Sequence, residues 1–480
     1  MPRGSLHVWG PEECETVHQA TLRVLRETGV EVRYPPALSI LQAGGAEVDG
    51  DRVRIHPSLI DEAIASAPRS WRVPWRSSDN VLHLNDHESY FGTGSDCLYI
   101  CDPDSGQRRR SVTTDIEGMA ALCEKLPNID FVMSMGLPED VPEHLDDLAQ
   151  MAAMLSGTRK PIVICPKDGS VLDRLVEMAQ LCGAAESFIV YAMPSPPLMH
   201  DWMGAAKLIG CAQRNVPVVY APSPCAGTTA PASTTSTIVV GNAEVLSGLV
   251  LHQLVRPGAP FVYGAGVDVM DMHELLPPYV LPEVFLGNAA ACDLARHYGL
   301  PSFSYAADSD SKLLDEQWAA EAAISAVLGG LSRATLLHDV GYLETGMQSS
   351  YETIVLADEL VSFARSVMAD LSVDEDALAV EEIIAVGPGG NHLARNYTRR
   401  HYRGFWRPGL FDHSIFERWC DNGAKTLKDR VKERTDGLRA EPRAYVLEDG
   451  TRARLSELLW GDVPERRRET GTVDPESAPL

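Results

Sequence analysis

The stretch PSFSYAADSDSKLLDEQ (301–317), followed by a helical run and then ATLLHDVGYLE (334–344), decides how this chain is read. Two short apolar strands each run straight into polar and ionisable residues. Asp308, Asp310, Lys312 and Asp315 follow the first strand; His338, Asp339, Tyr342 and Glu344 follow the second. A βα unit whose strands carry chemistry at their carboxyl ends is the building block of a parallel α/β fold.

Upstream, the same pattern recurs without the same residues. YFGTGSD (90–96), DFVMSMGLPED (130–140), PIVICPKD (161–168), SFIVYAMPSPP (187–197), PVVYAPSPCAG (217–227) and PFVYGAGVDVMD (260–271) each end in a polar or Pro-rich loop before a helical run. Continuous apolar strands alternating with helices imply a parallel sheet covered on both faces. Eight of them predict an α/β fold of the (β/α)8 TIM-barrel type over residues 89–371, with an open doubly wound sheet as the alternative. Residues 1–88, a capped helix followed by alternating segments around turns such as Val48-Asp49-Gly50-Asp51, form an N-terminal α+β region of helix and hairpins. Residues 372–480 form a C-terminal helical extension with a basic, aromatic stretch (391–420), expected to pack on the barrel or to dock an acidic partner.

Composition narrows the function. A net charge of −25 argues against a nucleic-acid partner and against docking on anionic lipid. No run reaches the ~18 apolar residues of a membrane helix, and the N-terminus lacks a signal-peptide core. Ten scattered cysteines, the closest pair being Cys97 and Cys101 in CLYIC, read as reduced thiols of a cytoplasmic protein without a zinc spacing. Gly264-Ala265-Gly266 lacks the third glycine of a dinucleotide site. Asp271-Met272-His273 begins the DxHxxG corrinoid-binding pattern but has Leu276 where glycine is required, so no corrinoid is expected on this chain itself.

Loops at the strand ends converge on one face of a barrel. They gather Asp96, Tyr99, Glu139, Tyr191, Tyr220, Tyr263, Asp268, Tyr305, Asp308, His338 and Asp339. Aromatic faces beside carboxylates suit a cation without N–H donors, because a quaternary ammonium is held only by cation–π and Coulomb attraction. Taken singly, each tyrosine fits equally well as a packing residue with a polar tip. His338 beside Asp339 reads as a catalytic or a structural histidine. Lys312 has a Schiff-base reading, as in a lyase or aldolase, although its flanking acids keep such an amine protonated and favour an anchoring role.

GTGSD (92–96), SDSKLLDEQ (309–317), LLHDVGYLETG (336–346) and GPGGNHL…RNYTRRHYRGFWRP (387–408), in this order, resemble the trimethylamine methyltransferase (MttB) family, in particular its branch without pyrrolysine that includes glycine betaine methyltransferases. The resemblance implies a TIM barrel that moves a methyl group from a quaternary amine, such as a betaine, to cob(I)alamin on a separate cognate corrinoid protein. It also implies a homo-oligomer and a link to methanogenesis-related methyl metabolism. Carried over by motif are Asp96, Asp308, Asp310, Lys312, His338 and Tyr342, with His338, Asp308 and Lys312 as catalytic candidates. Asp96, Asp310 and Tyr342, together with Tyr99, Tyr191, Tyr220, Tyr263 and Tyr305, are the substrate-binding candidates. A substrate carboxylate would need a cation, for which Arg333, Arg399, Arg400 and Arg403 stand open. The alternatives are a Lys312 Schiff-base enzyme, a non-catalytic binder of quaternary amines, and the family's chemistry with a folate as methyl acceptor. Asn391-His392-Leu393 and Tyr397-Thr398 depart from the family's His-Phe-Leu and His-Thr.

Overall fold

Short runs rich in Val, Ile and aromatic residues, apolar on both sides, form strands only where helices cover both faces. The computed structural model describes residues 4–85, 88–264 and 266–461; residues 462–480 of the expected extension and Ala265 of the Gly264–Gly266 turn lie outside them. Seven strands make one parallel sheet: β1 (Tyr90–Phe91), β2 (Ile162–Ile164), β3 (Phe188–Ala192), β4 (Val218–Tyr220), β5 (Phe261–Gly264), β6 (Ser302–Tyr305) and β7 (Leu336–His338). Their spatial order is β1-β7-β6-β5-β4-β3-β2. Each pair is in parallel register, for example Tyr191 opposite Val219 and Tyr305 opposite His338.

The expected eighth strand at 130–140 is not a regular strand. Phe131 makes a parallel bridge to Gly92 beyond β1, and Val132 one to Ile162 of β2. The segment then turns away at Met135, which takes the left-handed conformation with φ 53°. The architecture is thus α/β with a seven-stranded parallel sheet whose two edges both touch residues 131–132.

Alternation along each strand divides the core in two. Val163, Ile189, Tyr191, Val219, Val262, Phe303 and Leu336 face inward together. An antiparallel hairpin, Trp71–Pro74 with Val81–Leu84, adds Val73, Leu82 and Leu84 to that inner cluster and fills it from the amino ends of the strands. The outward residues meet the helices. Two of these bear on the site: α1 (Glu316–Ser332) between β6 and β7, and α2 (Tyr351–Met368) after β7. The helix Thr234–Val255 is long and apolar enough to span a bilayer by composition, and its burial among five other helices accounts for that character.

The first helix, Pro11–Glu27, packs on Thr234–Val255, and the strand Val30–Val32 pairs in parallel with Met199–His200 in the loop after β3. At the other end, Leu427–Ala440 packs on α2, and Asp449–Trp460 on the helices Asp146–Gly157 and Leu172–Leu181. In the stretch before them, from Ala369 to Gly409, no residue is buried. Its EDALAVEEIIAV run forms two short helices, Glu375–Leu378 and Val380–Val386, broken at Ala379 with φ 47°.

Candidate active site

Register decides which of the gathered residues meet. Phe303 and Tyr305, like Leu336 and His338, are two residues apart and share the inward face. The His338 ring stacks on Phe303 at 4.0 Å and 11°, and meets Tyr305 edge-on at 4.9 Å, with Tyr191 at 6.1 Å. Its Nδ1 is 2.6 Å from Asp339 Oδ1. With Nδ1 engaged by Asp339, Nε2 is the ring's other polar edge. Asp339 reaches this position through a left-handed backbone, φ 68°.

Tyr279 lies parallel to Tyr305, ring centres 5.7 Å apart. Its loop is pinned by Asp310, whose carboxylate accepts from the backbone N–H of Tyr279 (2.9 Å) and Val280 (3.1 Å) and from Thr345 Oγ1. Asp310 is therefore an anchor for an aromatic wall. Tyr342 donates to Ser95 O at 2.5 Å, while Trp318 Nε1 donates to Tyr342 O at 2.9 Å. A Cβ at Gly94 would stand 2.0 Å from Tyr342 Cζ, which is why the GTGSD turn has glycine there.

Burial and neighbouring acids set the charge states. Asp308 is 1% exposed; one oxygen accepts from Ser325 and the other has no partner. Its pKa is pushed up to about 7, chiefly by desolvation. Asp268 is alike: Ser223 holds one oxygen, the other is unpartnered, and desolvation lifts it to about 6. Asp96 is partly exposed as a residue, yet its carboxyl group is enclosed, and desolvation raises it to about 6 against hydrogen bonds from Ser95 and Gln150. Burial first, then the field of Asp339, Asp268 and their neighbours, holds the hydroxyls of Tyr191, Tyr279, Tyr305 and Tyr342 well above the usual phenol range. The four rings stay neutral, with electron-rich faces.

The other expected residues lie elsewhere. Tyr220 and Tyr263 are one residue out of phase with the inward Val219 and Val262 and point at the helices. Tyr220 OH is 2.6 Å from His200 Nδ1, with its ring against Gly248; Tyr263 OH donates to Asn242 Oδ1 at 3.0 Å. Both are struts between sheet and helix. Tyr99 belongs to a small sheet with Arg108–Arg110, and its ring is covered by Arg108 at 3.6 Å and Arg110 at 4.7 Å. Lys312 is exposed, its Nζ donating to Asp310 O at 2.9 Å. Arg333 donates to Gly4 O and Met368 O before β7 begins, at the opposite end of the strands. Arg399, Arg400 and Arg403 are exposed on the Ala369–Gly409 segment.

Phe303 and Tyr279 were missed in the sequence. Phe303 had a signal, its two-residue spacing from Tyr305. Tyr279 had none, because its place depends on the distant Asp310. Together the neutral rings and desolvated carboxylates favour a soft organic cation and disfavour an anion.

A family model for trimethylamine methyltransferase (MTTB) matches residues 2–470. Glycine betaine methyltransferase of Desulfitobacterium hafniense (strain Y51) is 29% identical over 470 residues, covering 96% of this chain and 97% of its own. Trimethylamine methyltransferase MttB of Methanosarcina thermophila is 31% identical over 447 residues, covering 88% and 90%. Among solved structures, the monomethylamine methyltransferase MtmB of Methanosarcina barkeri aligns with a TM-score of 0.55 at 11% identity, over 95% of this chain and 90% of its own, a likeness of fold. The chain belongs to the trimethylamine methyltransferase family.

Proposed function

We propose that this protein demethylates a quaternary amine and passes the methyl group to cob(I)alamin carried by a separate corrinoid protein. The carrying observation is the inward cluster of Tyr191, Tyr279, Tyr305, Tyr342 and His338 beside the half-satisfied Asp268 and Asp308. In this reading the sheet closes through residues 131–132 into an eight-stranded barrel, with 1–88 and 372–480 appended, in a cytoplasmic protein.

A quaternary nitrogen needs no activation to leave. The C–N bond breaks with its electron pair kept by nitrogen, which departs as a neutral tertiary amine. The acceptor's cobalt supplies the nucleophilic electron pair. The residues here position and desolvate the cation. Each ring face contributes about 0.5–2 kcal/mol. Asp268 and Asp308 supply counter-charge, and Asp339 orients His338 so that its Nε2 edge is fixed. Asp96 and Tyr342 close the wall on the side of the GTGSD turn.

Methyl transfer tests this. The protein, a reduced corrinoid protein and a panel of betaines, carnitine, choline and tertiary amines are mixed, and the acceptor's absorbance is followed. Transfer from at least one quaternary amine is expected; none from any would overturn the reading, and binding without transfer would favour a store or sensor. The Lys312 Schiff-base alternative loses support from that residue's exposure and ordinary carbonyl contact.

A further inference from the structure

We infer that Lys207 fixes an anionic tail on the substrate, so that the amine taken is a zwitterion bearing a carboxylate and not a simple cation. This rests on the quaternary-amine reading above and narrows it. Among the described residues three lysine or arginine side chains are buried: Arg76, Lys160 and Lys207. The first two are engaged at the amino ends of the strands. Lys160, just before β2, donates to the carbonyls of Cys123, Leu126 and Ile129, and Arg76 donates to those of Leu155 and Thr158.

Lys207 sits at the other end. Its helix, Trp202–Arg214, begins in the loop after β3, where Asp201 caps it by accepting from Gly204 N at 2.7 Å. A Cβ at Gly204 would stand 2.5 Å from Met193 O, so the helix starts hard against the carboxyl end of β3. Lys207 Nζ donates to Pro166 O, in the loop after β2, at 2.8 Å. Val190 pairs with Ile164, which makes the next residues along, Tyr191 and Cys165, neighbours across the sheet. Cys165 packs against the inner cluster that holds Tyr191, and Pro166 follows it directly. The ammonium is thus beside the aromatic site. It also acts on Asp96: burial lifts that carboxyl, while hydrogen bonds from Ser95 and Gln150, and the charge of Lys207, draw it down.

An ammonium has three N–H donors. Lys207 places one on a carbonyl, and no carboxylate among the described residues pairs with it. Burying a charge in that state is costly. The neighbouring Lys167 differs, since Asp146 holds its Nζ at 2.5 Å and Glu143 at 3.3 Å. The strand ends therefore offer two kinds of incomplete charge. Asp268 and Asp308, each with one unpartnered oxygen, follow β5 and β6; Lys207 lies over β2, three strands from β5. A dipolar guest answers both, with its quaternary head between the rings and its carboxylate toward β2. A charge-assisted hydrogen bond from Lys207 then sets the direction in which the head faces.

A betaine, its methyl ester and choline share the trimethylammonium head and differ in the tail, so calorimetric binding of the three to the full chain gives the test. The wild type should hold the betaine at least about tenfold more tightly than the other two. Lys207→Met should weaken the betaine at least about thirtyfold without weakening choline, and Lys207→Arg should recover much of the loss. Tail-blind binding by the wild type overturns the inference. So does a Lys207→Met variant that keeps the betaine or loses choline equally. Either result leaves methyl transfer from a quaternary amine standing. If no quaternary amine binds at all, both readings fall. If Lys207→Met misfolds by its melting curve, the wild type decides alone: preference for the free carboxylate over the ester supports the inference, and parity refutes it.

Discussion

Asp308 holds a buried carboxyl group with one oxygen unclaimed, and that combination has a sign. Its folded pKa of about 7 lies above the ordinary 3.8, so the folded state binds this proton more tightly. Stability is intact below the ordinary value and is lost as pH rises from about 4 to about 7, by roughly 4 kcal/mol at most for an unrelieved group. Asp308→Asn should therefore raise the melting temperature at pH 8, by the equivalent of roughly 1–3 kcal/mol, while weakening quaternary-amine binding about tenfold or more. A cation favours the ionised form, so wild-type affinity should climb between pH 6 and 8, with proton release visible by calorimetry in two buffers. Unchanged affinity in the variant would remove Asp308 from the site. Tyr305 offers a face and not a hydroxyl: Tyr305→Leu should cost about 0.5–2 kcal/mol of binding, Tyr305→Phe much less. A neutral isostere such as 3,3-dimethylbutanol should bind both variants alike. If it is affected as much as the cation, the ring acts by packing alone.

Between a strand and a helix, one residue of phase changes a role. The apolar runs of β4 and β5 were readable as strands in VVY and FVYG, but a strand buried on both faces has no polar side to reveal which way a tyrosine points. Tyr220 and Tyr263 fell on the helix side for that reason. Tyr220→Phe should cost about 1 kcal/mol of stability through the lost His200 bond, with amine affinity unchanged; a loss of affinity would return Tyr220 to the site. GTGSD was legible as a turn, and its reason is packing. Gly94→Ala must displace Tyr342 by an ångström or more and should destabilise by about 2–4 kcal/mol, with activity falling further. Gly437→Ala, in a helix with nothing within 4 Å, should instead stabilise by about 0.5–1 kcal/mol. Equal effects in melting experiments would show that the Tyr342 contact carries no weight.

Across the whole molecule, the alternation of apolar strands and helices was legible because each βα unit is local in sequence. What was not legible is nonlocal: the breakdown of 130–140 into two bridges, Asp310 fixing Tyr279, and the segment after Met368 that buries no residue despite its apolar side chains. The hairpin Trp71–Leu84 belongs here too, since nothing in its alternation says that it enters the sheet's interior. Leu82→Ala should cost about 2–4 kcal/mol by leaving a void there, lowering the melting temperature while the amine's dissociation constant holds. A matching loss of affinity would mean that the plug and the strand-end cluster move as one.

That plug also governs traffic. With the floor stopped by Val73, Leu82 and Leu84, the proposed reaction would have the amine and a protein-borne methyl acceptor share one doorway at the carboxyl ends. A large visitor leaning over the doorway seals in a small one already inside. Turnover in that reaction would be a queue, with the amine first in and its demethylated remnant last out, and an excess of the visiting protein would slow the cycle it serves.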